Sequence, residues 1–282
     1  MKQLLITATL LASGTFAFAQ KNASCCQMPN ADAMARFVED PTFVASHAAP
    51  LPHVYAGKAG AMITFATPDG TKANAFEIKA KQKSDKYLLV FQEWWGLNDH
   101  IKREAEKYYN DLGGKVNVLA LDMYDGKIAT DAQTAGKYMN EANATRLDAI
   151  TKGAIAYAGK NAQIASVGWC FGGGRSLQAA LLGGKQAVGC VMFYGMPEKD
   201  ANRLKTLNTD VLGLFAGREK WISPEVVAQF GKDMKTAGKT LAVKSFDAEH
   251  AFANPSNPNF DKEKAEEAYK LALDYLKTRL KV

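Results

Sequence analysis

The five residues Gly168-Trp169-Cys170-Phe171-Gly172 put a thiol between two glycines, where a short apolar run gives way to a helical pattern. This is the GxSxG nucleophile elbow with cysteine in the serine position, in the strand-to-helix context that the motif requires. A sharp turn holds the nucleophile in a strained conformation, and side chains at the outer positions would collide with the neighbouring strand and helix. The helix that follows presents its positive end to the sulfur, which favours the reactive thiolate. The competing reading is a buried cysteine acting as a small hydrophobe. A phosphate-cradling role for the glycines has no support, because the sequence carries neither GxxxxGK[ST] nor GxGxxG.

A cysteine nucleophile needs a base, and in folds built around this elbow the chain order is nucleophile, acid, histidine. Of His47, His53, His100 and His250, only His250 follows Cys170, in the loop AEHAFANP after the strand-like run LAVKSFD. The acid should stand between them at the carboxyl end of a strand, where it orients the imidazole and stabilises its charged form. Glu219, directly after VLGLFAG, meets both conditions; Asp210 lies at the wrong end of that run, and Asp247 is the runner-up. Glu93 and Trp94 follow KYLLVFQ. The amides of Trp94 and Phe171 are expected to bind the oxygen that becomes negative in acyl transfer, and Glu93 is a candidate for controlling the protonation of the thiol. Trp94, Trp95, Trp169, Trp221 and Phe252 are expected to line an aromatic pocket. The chemistry needs no metal or organic cofactor.

These residues require a scaffold, and the sequence supplies one. AMITFA and ANAFEIKA bracket the turn TPDGTK and read as a hairpin. Strand-like runs at 86–92, 115–122 and 163–168 then alternate with helical patterns at 100–114, 131–159 and from Phe171 onward. AVGCVMFYG, VLGLFAG and LAVKSFD continue the strands, with helices at 223–238 and 261–280. Strands separated by helices of this length imply an α/β fold, a mostly parallel sheet with helices on both faces. In such sheets ligands collect outside the carboxyl ends of the strands, which is where each of the residues above falls.

The 282 residues are 47% hydrophobic and 23% charged, an ordinary globular mixture. The first 19 residues place Lys2 before an apolar run and end in Ala17 and Ala19, the AxA pattern of a signal-peptidase site. The run is shorter than a bilayer span, so a cleaved export signal and a periplasmic or secreted protein without stable membrane insertion are expected. Loss of Lys2 takes the formal net charge from +6 to +5. With no dense basic tract, nucleic-acid binding has little support. Residues 20–60, rich in Ala, Asn, Pro and Ser, read as an N-terminal extension in which only ARFVED hints at a helical turn; the domain runs from 61 to 282. Adjacent Cys25 and Cys26 are unsuited to bonding each other. Their options are a link to another chain, a metal shared with His47 or His53, or no role.

QEWWGLN, LDMY, GWCFGGG, FYG, GREKWISPE and EHAFANP, in this order, resemble the dienelactone hydrolase family of α/β-hydrolases from about Ala61 to the C-terminus. The resemblance implies an ester or lactone hydrolase acting on a small molecule, with Cys170, Glu219 and His250 as its triad. By the same likeness, Glu93 matches a glutamate that holds the resting thiol and releases it when substrate binds. Tyr124 and Tyr194, from LDMY and FYG, join Asn254 in the expected substrate pocket. Two departures stand out. The family's acid is normally aspartate, and the two arginines that grip a substrate carboxylate have no counterparts in LDMYDGK and HAFAN, where Lys127 and Asn254 stand instead. Dienelactone itself is therefore disfavoured as substrate. The alternative is a degenerate relative that binds a small molecule without turnover; a thiol-redox role is weaker, as no resolving cysteine lies nearby.

Overall fold

The computed structural model describes Met34 and residues 36–282; the expected export signal and Cys25 and Cys26 lie outside the described residues. Eight strands form one sheet: β1 (Ala61–Ala66), β2 (Lys72–Ile78), β3 (Lys86–Phe91), β4 (Asn117–Leu121), β5 (Gln163–Trp169), β6 (Ala187–Phe193), β7 (Val211–Ala216) and β8 (Leu241–Phe246). Their spatial order is β1-β2-β4-β3-β5-β6-β7-β8. β1 pairs with β2, and β2 with β4, antiparallel. Every pair from β4 to β8 is parallel. The central strands are buried along nearly their whole length, as expected of a parallel sheet covered on both faces.

The helices bounded within the described residues are α1 (Pro41–Ala45), α2 (Asp99–Asp111), α3 (Ala132–Glu141), α4 (Ala144–Ala158), α5 (Phe171–Gly183), α6 (Ala201–Leu204), α7 (Pro224–Thr236) and α8 (Lys262–Leu280). The helical pattern at 131–159 is two helices, because Asn143 caps a new one: its side chain accepts from the Thr145 amide at 2.8 Å. None of the helices among the described residues is long and apolar enough to cross a membrane.

Crossovers run to opposite sides of β3, to β4 in one direction and β5 in the other, so the strand order reverses between β3 and β5. A crevice opens outside the carboxyl ends of strands at such a reversal. Glu93 and Cys170 follow the two strands that flank it. Glu219 follows β7 and His250 follows β8, along the same rim. Beyond the sheet, a 3-10 turn at Arg36–Glu39 and the short α1 bring Phe43 and His47 into buried positions.

Candidate active site

Cys170 sits between β5 and α5 with φ 57° and ψ −119°, a conformation that only tight surroundings can impose on a side-chain-bearing residue. The surroundings are backbone. The Cys170 amide donates to the Phe193 carbonyl at 3.0 Å, and the Gly173 amide to the Cys170 carbonyl at 3.0 Å. A Cβ on Gly172 would lie 2.3 Å from the Phe91 carbonyl oxygen, and one on Gly168 would lie 2.1 Å from that of Gly172. Neither position admits a side chain unless a strand or the helix moves.

His250 is buried, and its Nδ1 lies 2.7 Å from Glu219 Oε1, which also accepts from the Ile222 amide at 3.3 Å. Asp247 is turned away: its side chain is 80% exposed and pairs with Arg218 at 2.9 Å. Burial works against a charge on His250, but Glu219 and Cys170 outweigh it and lift its pKa well above the ordinary value. Burial pushes the Cys170 thiol up; the imidazole and the Phe171 amide pull it down, and Glu93 adds to the rise. The net direction is upward, so burial wins here over the helix end that the sequence suggested would favour thiolate.

A strained cysteine at a strand-to-helix turn, with a carboxylate-bound histidine beside it at the rim of an eight-stranded sheet, can be compared with known proteins. Residues 73–280 match the model of the dienelactone hydrolase family. The chain belongs to the dienelactone hydrolase family.

The proteins it is similar to carry different names. A carboxymethylenebutenolidase from Pseudomonas sp. strain P51 is 30% identical over 115 residues, 40% of this chain and 47% of the relative. Protein usf from Aquifex pyrophilus is 25% identical over 234 residues, 78% of this chain and 99% of the relative. Among solved structures, a dienelactone hydrolase-like promiscuous phosphotriesterase, P91, from metagenomic libraries superposes with a TM-score of 0.67 at 20% identity, covering 79% of this chain and 99% of its own. That likeness shows the shared α/β-hydrolase fold. As a family member the chain is a hydrolase.

Glu93 is buried near Cys170 and His250. Its Oε2 accepts from Asn254 Nδ2 at 2.5 Å. Burial raises its pKa to about 7, against the pull of His250, Asn254 and Tyr194. A cleft of about 430 Å³ opens beside it. Of the expected pocket residues, Trp95, Trp169 and Asn254 line that cleft together with Glu93. Tyr124, Tyr194, Trp221 and Phe252 do not. Tyr124 packs on Phe171, and Tyr194 and Phe252 are buried against each other, with Tyr194 also on His250. Lys127 is ion-paired with Glu141 at the surface. The arginine in the cleft is Arg103, 3.2 Å from Glu104, on α2, which follows Trp95 and carries no motif of its own.

Trp221 is covered by the segment ahead of the family match. Asp40 accepts from Trp221 Nε1 at 3.1 Å and from Lys220 Nζ at 3.3 Å. Phe43 is fully buried, its ring 5.0 Å from Trp221 and 5.5 Å from Trp94, centroid to centroid. His47 lies 4.6 Å from the Trp94 ring and 5.1 Å from the His250 ring. Burial and then the charge of His250 drive its pKa down to about 3, against a hydrogen bond to Phe43. Under this cover the Cys170 residue is 1% exposed. Sequence reasoning considered His47 only as a possible metal partner of Cys25 and Cys26, away from the elbow, and missed Phe43. The available signal was Asp40-Pro41, a helix cap followed by proline at the first helical position, with Phe43 and His47 four residues apart.

Proposed function

We propose that the chain hydrolyses an ester or lactone bond of a small molecule through Cys170, His250 and Glu219, and that it does so as an exported protein. The observation that carries the reading is the 2.7 Å bond from His250 to Glu219 beside a cysteine held at a strained elbow. In the first half-reaction His250 takes the thiol proton, Sγ attacks the carbonyl carbon, and the proton passes to the departing alkoxide, leaving a thioester. Water then attacks with His250 again as base, and the thiolate leaves. The amides of Trp94 and Phe171 hold the oxyanion in both halves. Glu219 fixes the tautomer of His250 and stabilises its charge. Glu93 sets the resting state of the thiol.

The test is hydrolysis of a panel of aryl esters and lactones by wild type, Cys170→Ala and His250→Ala. Activity at least about 1,000-fold lower in both variants is expected; equal rates in all three reject the mechanism. The burial of Cys170 under residues 36–47 favours one second reading, a binding protein without turnover. It predicts ligand-dependent stabilisation with no hydrolysis of any member of the panel. Export is checked by N-terminal sequencing of the secreted protein, which should begin at Gln20.

A further inference from the structure

His47 brings a third soft donor to the elbow. One ring nitrogen of His47, one of His250 and the Cys170 sulfur lie within 4.8 Å of one another, and all three residues are buried. The tautomers follow from the partners. His47 Nδ1 is 2.6 Å from the Phe43 carbonyl oxygen, which can only accept, so Nδ1 carries the proton and Nε2 a lone pair. His250 Nδ1 donates to Glu219, which leaves Nε2 as the nitrogen a metal would meet once it has given up any proton. His47 Nε2 has no hydrogen-bond partner, and His250 Nε2 has only the Cys170 sulfur. Leaving the His47 nitrogen buried and unsatisfied is costly.

We propose that His47, His250 and Cys170 form a binding site for a thiophilic divalent ion of the zinc class, and that the bound ion pins the N-terminal cover over the sulfur. Two imidazoles and a thiolate are a donor set suited to zinc. Both imidazoles already have the outer-shell acceptor that metal-bound histidines use, a backbone carbonyl for His47 and a carboxylate for His250. Zinc bonds of about 2.0–2.3 Å require the donors to stand about 3.3–3.8 Å apart, so side-chain rotations of roughly 1 Å complete the site. The fourth position is left to water. On binding, the S–H bond breaks, its proton and any proton on His250 Nε2 go to solvent, and sulfur–metal and nitrogen–metal bonds form. A coordinated sulfur is no longer a free nucleophile, so the ion is an inhibitor. Inhibition rests on the proposed hydrolase mechanism; binding does not.

The probe is cobalt(II), titrated into the full chain carrying Cys25→Ser and Cys26→Ser, which leaves Cys170 and the buried Cys190 as its cysteines. One equivalent should produce a sulfur-to-cobalt charge-transfer band and the strong visible bands of a tetrahedral site, both erased by zinc. Cys170→Ser should abolish the charge-transfer band. His47→Gln should weaken binding at least about tenfold, since losing even an outer-shell partner costs 10–100-fold. His47→Cys, which restores a ligand, should recover binding with a stronger sulfur band even if the glutamine variant folds poorly. Absence of the band in the parent protein, its survival in Cys170→Ser, or unchanged affinity in a folded His47→Gln each overturns the site. Ester turnover by the chelator-treated protein is measured separately: its absence rejects the hydrolase reading and leaves the cobalt result standing.

Discussion

The elbow and the cover meet at the same sulfur, yet they are held in different ways. Around Cys170 the contacts are backbone on backbone: glycines at 168 and 172 bring α5 against β3 and β5 with no side chain between. Around His47 they are side chains, the Phe43 ring between Trp94 and Trp221 and the Asp40 carboxylate on Trp221 and Lys220. Backbone interlock cannot loosen without unfolding the sheet rim. Side-chain docking of a twelve-residue segment can open by itself, because local openings span free energies from near zero up to that of global unfolding. One region therefore sets geometry and the other sets access.

Gly172→Ala tests the first half of this contrast and should have the largest effect. A new Cβ against two carbonyl oxygens is expected to cost about 3 kcal/mol or more in denaturant unfolding, with loss of ester turnover. Full stability in that variant would show that the interlock yields. Phe43→Ala tests the second half: the cost in global unfolding should be about 2 kcal/mol, below the usual 3–5 for a buried phenylalanine, because the cover opens before the sheet does. Labelling of Cys170 by a thiol reagent should accelerate at the same time. A full core penalty with no faster labelling would make the cover part of the core.

Acid separates the two regions further. His47 is held neutral down to about pH 3 in the folded protein and takes a proton near 6.5 when unfolded. A depressed folded pKa gives stability that is present above 6.5 and lost as pH falls toward 3, with a slope of up to about 1.4 kcal/mol per pH unit. His47→Gln should flatten that decline. Glu93 works in the opposite sense. Its pKa rises from 4.5 to about 7, so its neutral form is the favoured folded one and stability is lost as pH rises through 4.5–7. Glu93→Gln should remove that loss, and urea unfolding across pH reads both variants. The smallest effect is expected for Asp40→Ala, which removes the cap of α1 and the bond to Trp221; a loss of stability larger than that of Phe43→Ala would mean that the partly exposed carboxylate holds the cover more firmly than its rings do.

The elbow was legible because its constraints are local. A strand, a turn that needs glycine on both sides and a helix fall within some twenty consecutive residues. The order of acid and base was legible from the direction of the sheet, which assigns one end of every parallel strand to the rim. That rule left Glu219 and Asp247 both eligible, since each follows a strand; the difference is that Arg218 and solvent take the Asp247 carboxylate while Glu219 is enclosed. The aromatic pocket was legible only in part. Trp95 and Trp169 face the cleft, but Tyr194, Phe252 and Trp221 are taken up by packing, and hydrophobicity does not tell a lining ring from a core ring.

By itself the sequence determined the α/β architecture, the position of the thiol and the histidine that could serve it, because periodicity, glycine spacing and chain order act over short stretches or through a fixed rule of topology. Only the tertiary structure decided that Glu219 meets His250, that Glu93 is desolvated enough to hold its proton near neutrality, and that His47 lies over the site. Those facts depend on side chains brought together across 31, 161 and more than 200 residues of chain, and burial at such distances leaves no mark on the local pattern.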